Sequence, residues 1–206
     1  MPRVAIIDYG MCNLGSVRRA FEECGADAMV TEDPADLREA SHVVLPGVGA
    51  YRDGMANIRE RKWDAAIRRA AVEDGIPLLG ICLGMQLLST MGYEGGETEG
   101  LGLIPGEVKK LIAPAGERIP HVGWNEVHHQ PGDPLFEGIL NGMDFYFVHS
   151  YHFLASDPAH VSAKTPYCGG LAAAVRAGNV FGVQFHPEKS SLAGFQLLRN
   201  FLEYRS

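Results

Sequence analysis

The segment from Ile76 to Gln86, reading Ile-Pro-Leu-Leu-Gly-Ile-Cys-Leu-Gly-Met-Gln, constrains the fold more than any other stretch. An apolar run at Ile76–Leu79 predicts a buried strand, and Gln86-Leu87-Leu88 opens a helical pattern, so Gly80-x-Cys82-x-Gly84 spans a strand-to-helix junction. Small residues two positions either side of Cys82 let the backbone turn sharply, and the amides and dipole of the following helix favour thiolate, the reactive form. Taken alone, the same pattern also describes a buried cysteine at an ordinary strand end.

A second stretch, Gly182-Val-Gln-Phe-His-Pro-Glu-Lys189, bears on that choice. Val180, Val183 and Phe185 predict a strand, and Pro187 biases His186 toward an extended conformation, which puts His186 and Glu188 on one side. If the fold brings this strand end to the elbow, Cys82 gains a base in His186 and His186 an orienting partner in Glu188. Without Cys82, His-Pro-Glu reads equally well as a turn before the last helix.

The rest of the chain supplies the frame. Val4–Ile7, Ala28–Val30 and His42–Leu45 read as strands. Between the first two lies a helix capped by Asn13 or Ser16, with Val17, Ala20, Phe21 and Cys24 on one face and Gly25 at its end. Strand, helix, strand with unbroken apolar strands predicts an open, mostly parallel sheet covered by helices on both faces. Tyr51–Asp74 reads as mostly helical. After the acidic, glycine-rich stretch 94–102, shorter runs at 107–112, 119–127, 145–149, 161–164, 171–175 and 180–186 predict a largely antiparallel extension of the sheet. A closing helix is expected over 191–204, with Leu192, Phe195, Leu198, Phe201 and Leu202 inward. The 206 residues are expected to form one domain, 1–206.

Pro46-Gly47-Val48-Gly49-Ala50 follows the third strand, where loops at the carboxyl edge of an open sheet bind ligands. It lacks the third glycine of a dinucleotide fingerprint. It is suited to supply an amide which, with that of Leu83, forms an oxyanion hole over Cys82.

Charge and composition exclude several classes. A net charge of −7 argues against nucleic acid or an anionic membrane surface, and Arg59, Arg61, Lys62, Arg68 and Arg69 read as a solvated helix face. Cys12, Cys24, Cys82 and Cys168 lack paired spacing, as expected of free thiols in a reducing cytoplasm. No run is long enough for a membrane span. His128-His129 and His149-x-x-His152 lack a Cys or acidic partner at ligand spacing, so no metal is expected. His121 stands out in Pro120-His-Val-Gly-Trp-Asn125, where Trp124 and Asn125 flank a glycine between strands; taken alone, the stretch also describes a packed aromatic corner.

Gly80-Ile-Cys82-Leu-Gly-Met-Gln86 together with His186-Pro-Glu188 resembles the class I (triad) glutamine amidotransferases, over essentially the whole chain. Within that class, Ile7-Asp-Tyr-Gly10 followed by Asn13-Leu-Gly-Ser-Val17, Leu45-Pro-Gly-Val-Gly49, Pro120–Asn125, Tyr146-Phe-Val-His-Ser-Tyr151 and His186–Ser190 resemble the glutaminase subunits of imidazole glycerol phosphate synthase. Cys12 departs from the glycine expected there, and Ser150 from a threonine. The resemblance implies a flavodoxin-like sheet and hydrolysis of L-glutamine by Cys82, His186 and Glu188, without a cofactor. It implies that Gly47, Val48 and Gly49 contribute to the oxyanion pocket, that Gln86 binds the amino-acid end of glutamine, and that His149, Ser150 and Tyr151 line the site. It further implies a partner, a (β/α)8-barrel cyclase in a heterodimer, met through Asn13, Trp124, Tyr146 and Lys189. A cysteine peptidase or gamma-glutamyl hydrolase using the same nucleophile is the rival enzyme class. A non-catalytic scaffold is the other alternative, and it would be expected to have lost one of the three triad residues.

Overall fold

A computed structural model describes residues 1–205. Its first strand, β1 (Arg3–Ile7), leads into α1 (Leu14–Glu23), and β2 (Asp27–Thr31) and β3 (His42–Gly47) follow. Helices α2 (Tyr51–Glu60) and α3 (Trp63–Arg68) precede β4 (Leu78–Cys82) and the short α4 (Leu83–Leu87). Then come β5 (Met91–Gly92), β6 (Thr98–Glu99), β7 (Gly106–Lys110), β8 (His121–His129), β9 (Met143–His149) and β10 (Tyr151–Ala155). The chain ends with β11 (Val161–Thr165), β12 (Leu171–Ala177), β13 (Val180–Val183) and α5 (Ser191–Glu203).

Nine strands form one sheet in the order β2-β1-β3-β4-β13-β12-β11-β8-β9. The first five are mutually parallel, with the strand order of a flavodoxin-like sheet, and the remaining four continue it antiparallel. Alternate residues of each parallel strand serve opposite faces. Val4, Ile6, Val44, Leu79 and Ile81 pack with α1 and α5, whereas Ala5, Ile7, Val43, Leu45 and Leu78 pack with α2, α3 and α4. Two cores thus fix the sheet from both sides, as its unbroken apolar strands require.

Several expectations need correction. The run at 107–112 does not extend the main sheet: β7 joins β10, β5 and β6 in a separate four-stranded sheet over the second core. The stretch 51–74 is mostly helical, as expected, but is divided into pieces. Lys62 adopts φ 60° between α2 and α3, and a π-turn at Arg69–Glu73 completes the segment. Strand β13 stops at Val183, short of His186. In α5, Leu192 in the first turn is 83% exposed and Leu197 is fully buried, while Leu198, Phe201 and Leu202 face inward as expected. Asn13 does sit at the N-cap of α1, but its side chain makes no capping bond.

Candidate active site

Three adjacent parallel strands end together. Gly47 closes β3 and pairs with Cys82 at the end of β4, while β13, on the other side of β4, delivers the chain to His186 just beyond its own end. The carboxyl edge of an open parallel sheet is where such folds gather their ligand-binding groups. Here it gathers a thiol, an imidazole and a glycine loop from positions 47, 82 and 186.

The elbow is built on close approach. Cys82 has φ 55° and ψ −111°, a conformation that L side chains rarely adopt. A Cβ on Gly84 would overlap the Leu45 carbonyl oxygen, and one on Gly80 would lie 2.7 Å from the Gly84 carbonyl oxygen. The two glycines therefore let the turn seat against β3. Helix α4 is five residues long, so the dipole expected to assist the thiolate is only that of a single turn. The charged neighbour of Cys82 is instead the imidazole.

His186 Nδ1 and Glu188 Oε1 are 2.8 Å apart, with both side chains almost wholly enclosed. The contact is not made by a strand: His186 is extended and Pro187–Lys189 forms a 3-10 turn that swings the carboxylate back to the ring. That turn is tied to β9, since the His186 amide donates to the Tyr146 carbonyl at 2.9 Å and Ser190 Oγ bridges the Tyr146 amide and the His186 carbonyl. Burial alone lowers the pKa of His186, but the Cys82 sulfur and then the Glu188 carboxylate more than offset it and raise it to about 9. Its Nε2 is buried with no aligned hydrogen bond. The thiol and ring are thus poised as neighbours in charge, with the proton-transfer bond still to be closed.

Cys82, His186, Val48, Gly49, Leu83 and Gln86 line one cavity of about 380 Å³. His149, Ser150 and Tyr151, where β9 passes into β10, line it as well. Gly47 and Glu188 are not among the lining residues; Glu188 reaches the site through its contact with His186. The Val48 amide donates to the Met11 carbonyl at 2.8 Å, so this expected oxyanion donor is already engaged. Gln86 Nε2 donates to the Tyr151 carbonyl and to Gln184 Oε1, each at 3.0 Å. Gln184 Nε2 in turn reaches the Cys82 sulfur at 3.8 Å.

Gln184 and Glu94 were missed in the sequence. Gln184 carries a signal, being a polar residue two positions before His186 in an apolar run, hence on the same side. Glu94 lines the cavity mouth, where its Oε2 accepts from the Tyr51 amide at 2.8 Å. Nothing distinguishes it from the other acids of its loop in sequence.

The expected partner-facing residues lie outside the cavity. Trp124 on β8 and Tyr146 on β9 are cross-strand partners with ring centroids 5.9 Å apart, and Lys189 Nζ lies 5.9 Å from the centre of the Tyr146 ring. Val122 and Val148, the next cross-strand pair, are exposed on the same face. Asn13 is exposed at the start of α1.

Comparison with known proteins agrees with this arrangement. The family model described as "Glutamine amidotransferase class-I" matches residues 5–204. A relative from Moorella thermoacetica, "Imidazole glycerol phosphate synthase subunit HisH", is 51% identical over 98% of this chain and 95% of its own length. A protein of the same description from Methylococcus capsulatus is 50% identical over 99% and 97%. Among solved structures, that described as PurLQS from Thermotoga maritima superposes with a TM-score of 0.79 at 23% identity, covering 98% of each chain. A glutamine amidotransferase from the same organism gives 0.69 at 20% identity, over 98% of this chain and 96% of its own, so these two speak for the fold alone. With a matched model that spans nearly every residue around a cysteine elbow, a histidine and a glutamate, the chain belongs to the class I glutamine amidotransferase family.

Proposed function

We propose that this chain is the glutaminase subunit of an imidazole glycerol phosphate synthase, hydrolysing L-glutamine to glutamate and ammonia and passing the ammonia to a cyclase in histidine biosynthesis. The observation that carries the reading is the convergence of Cys82, His186 and Glu188 at the edge of a cavity sized for one amino acid. The high identity to relatives described as subunits of that synthase supports the substrate and the partner.

In this reading the Cys82 thiolate attacks the side-chain amide carbon of glutamine, and the carbonyl pair moves onto oxygen. The tetrahedral intermediate collapses as imidazolium His186 protonates the departing ammonia, leaving a thioester. Neutral His186 then takes a proton from water, the hydroxide attacks the thioester, and glutamate leaves as the thiolate re-forms. Glu188 holds the ring and stabilises its cation throughout. The Leu83 amide, at the start of α4 where helix amides have no intrahelical partner, and the Gly47–Gly49 loop serve the oxyanion. Gln86 and the carboxylate of Glu94 receive the ammonium end of glutamine, and the backbone at His149, Ser150 and Tyr151 its other polar groups.

Ammonia released into water is protonated and ceases to be a nucleophile, so it must be handed over shielded from solvent. The recipient is a (β/α)8-barrel cyclase, which adds it to a phosphoribulosyl formimino carboxamide ribonucleotide, giving imidazole glycerol phosphate and an aminoimidazole carboxamide ribotide. The ribbon of exposed Trp124, Val122 and Val148 and half-buried Tyr146, with Lys189 and Asn13, is read as the docking face. Residues 1–206 are read as one amidotransferase domain, the two cores sharing a single sheet. No helix among the described residues is long and apolar enough to cross a membrane, and the four thiols are unpaired, which supports a cytoplasmic location.

The test is Cys82→Ala assayed with the cyclase present. Glutamine-dependent product formation is expected to vanish while ammonia-dependent formation persists. Retention of both activities would overturn the reading.

A further inference from the structure

Strands β8 and β9 form a ribbon with two different faces. Trp124 and Tyr146 point out, whereas His121, Asn125, Phe147 and His149 point toward the core. His121 and His149 are cross-strand partners, and the first lies flat between two rings, Phe147 at 4.6 Å and Tyr167 at 3.9 Å between centroids. No catalytic step uses His121, and its packing alone does not account for the directed bonds it makes.

Those bonds form one chain whose direction is fixed at a single point. His149 Nδ1 lies 2.8 Å from the Tyr151 carbonyl oxygen, which can only accept, so this nitrogen carries the proton. Burial holds both rings neutral, pushing His149 down to about 3 and His121 down to about 4. His149 Nε2 is therefore an acceptor, and His121 Nδ1, 3.0 Å away, must donate to it. The remaining His121 nitrogen, Nε2, accepts from Asn125 Nδ2 at 3.2 Å. Beyond Tyr151 the same carbonyl accepts from Gln86 Nε2, whose second hydrogen goes to Gln184 Oε1. With both amide hydrogens spent, the end of Gln86 left to the cavity is its carbonyl oxygen.

We propose that His121 is a positioning residue for substrate recognition: its donated hydrogen bond locks His149 and the Tyr151 carbonyl, and thereby presents Gln86 oxygen-first to the α-ammonium group of glutamine. Glu94 supplies charge at the mouth, and Gln86 supplies direction. Without the His121 donor, His149 is free to take its other tautomer. Its unprotonated Nδ1 would then face the Tyr151 carbonyl and push that acceptor away from Gln86. The inference rests on the cavity being the glutamine site, and it concerns selectivity rather than bond cleavage.

The test uses the complex with the cyclase and two variants, His121→Phe, which keeps the stacked ring, and His121→Asn, which keeps a side-chain N–H donor. Each is assayed with glutamine and with the glutaric acid monoamide that lacks the amino group. In His121→Phe the KM for glutamine is expected to rise about tenfold, the scale of one hydrogen bond to a charged group, with kcat within about threefold. The preference for glutamine over the desamino amide should fall by a similar factor, and His121→Asn should restore most of it. A purely structural role would lower kcat/KM equally for both amides and leave the preference unchanged, which would overturn the proposal. Should His121→Phe fail to fold, nitrogen-15 NMR of the wild-type protein decides: the Nδ1–H tautomer of His149 supports the proposal and the Nε2–H tautomer overturns it. A wild-type complex that consumes no glutamine would instead overturn the glutaminase reading itself.

Discussion

The Val48 amide is hydrogen-bonded to the Met11 carbonyl at 2.8 Å, which ties the loop after β3 to the turn between β1 and α1. An N–H so engaged is not available to an oxyanion above Cys82, although Val48 lines the same cavity as the sulfur. One missing oxyanion donor costs about 10²- to 10³-fold in turnover. The isolated chain is therefore expected to hydrolyse glutamine slowly, and the cyclase with its ligand bound to raise kcat by about that factor. Steady-state glutaminase assays with and without the liganded cyclase check this, and full activity in the isolated chain would refute it.

The Glu188 carboxylate does more than orient. Together with Cys82 it raises His186 to about 9 against the opposing effect of burial, which keeps the imidazolium present across the neutral range. The leaving ammonia needs that proton, so activity should fall as pH rises past about 9. Glu188→Gln removes one of the two raising influences. Its alkaline limb should move to lower pH, with kcat reduced by about 10²-fold or more. Parallel pH profiles of glutamine-dependent turnover in the complex decide the point; coincident alkaline limbs would show that Glu188 has no electrostatic role.

Three of the four thiols are held in the protonated, unreactive form. Burial pushes Cys12 up to about 12, where its sulfur also contacts the Pro46 carbonyl at 3.4 Å, and it raises Cys24 as well. Burial and the Glu117 carboxylate raise Cys168 to about 11. Thiolate is the alkylating species, so a small electrophile at pH 7.5 should label Cys82 at least tenfold faster than any other cysteine. Peptide mapping by mass spectrometry after brief exposure to iodoacetamide measures this ratio. Saturating glutamate should slow labelling at Cys82 alone.

Residues whose role follows from local backbone chemistry were legible in the sequence. The Gly80-Cys82-Gly84 elbow, the His186-Glu188 pair and the unbroken apolar runs of β1, β3 and β4 each depend on neighbours a few positions away. What escaped depends on long-range placement. The segment 107–112 has the same pattern whether it joins the main sheet or β10, and only the fold decides. Gln184 is one polar residue among apolar ones until Gln86 arrives from 98 positions away. His121 reads as a packed aromatic corner, and it is indeed stacked between two rings. Its directed bond to His149 appears only once β8 and β9 are paired in register.

That histidine pair also sets how stability depends on pH. Both rings have pKa values depressed by burial, from about 6.5 in the unfolded chain to about 4 and about 3. The unfolded state therefore binds protons that the folded state refuses. Their contribution is complete above about pH 6.5 and is lost as pH falls toward 4. Each costs about 1.4 kcal/mol per pH unit once well below 6.5, so the pair should remove roughly 3 kcal/mol between pH 6.5 and 5. His42 and His152, also pushed down by burial, act in the same sense. His186 has the opposite sign: its raised pKa favours the folded state below about 6.5, and that contribution fades as pH rises toward 9. Stability should thus peak near neutrality and fall more steeply on the acid side. Urea unfolding at pH 5, 6.5 and 8 measures both limbs. His121→Phe should make the acid limb shallower, because it removes one of the protons that drive it. An acid limb of unchanged slope in that variant would mean that the ring of His121 does not stay neutral in the folded protein.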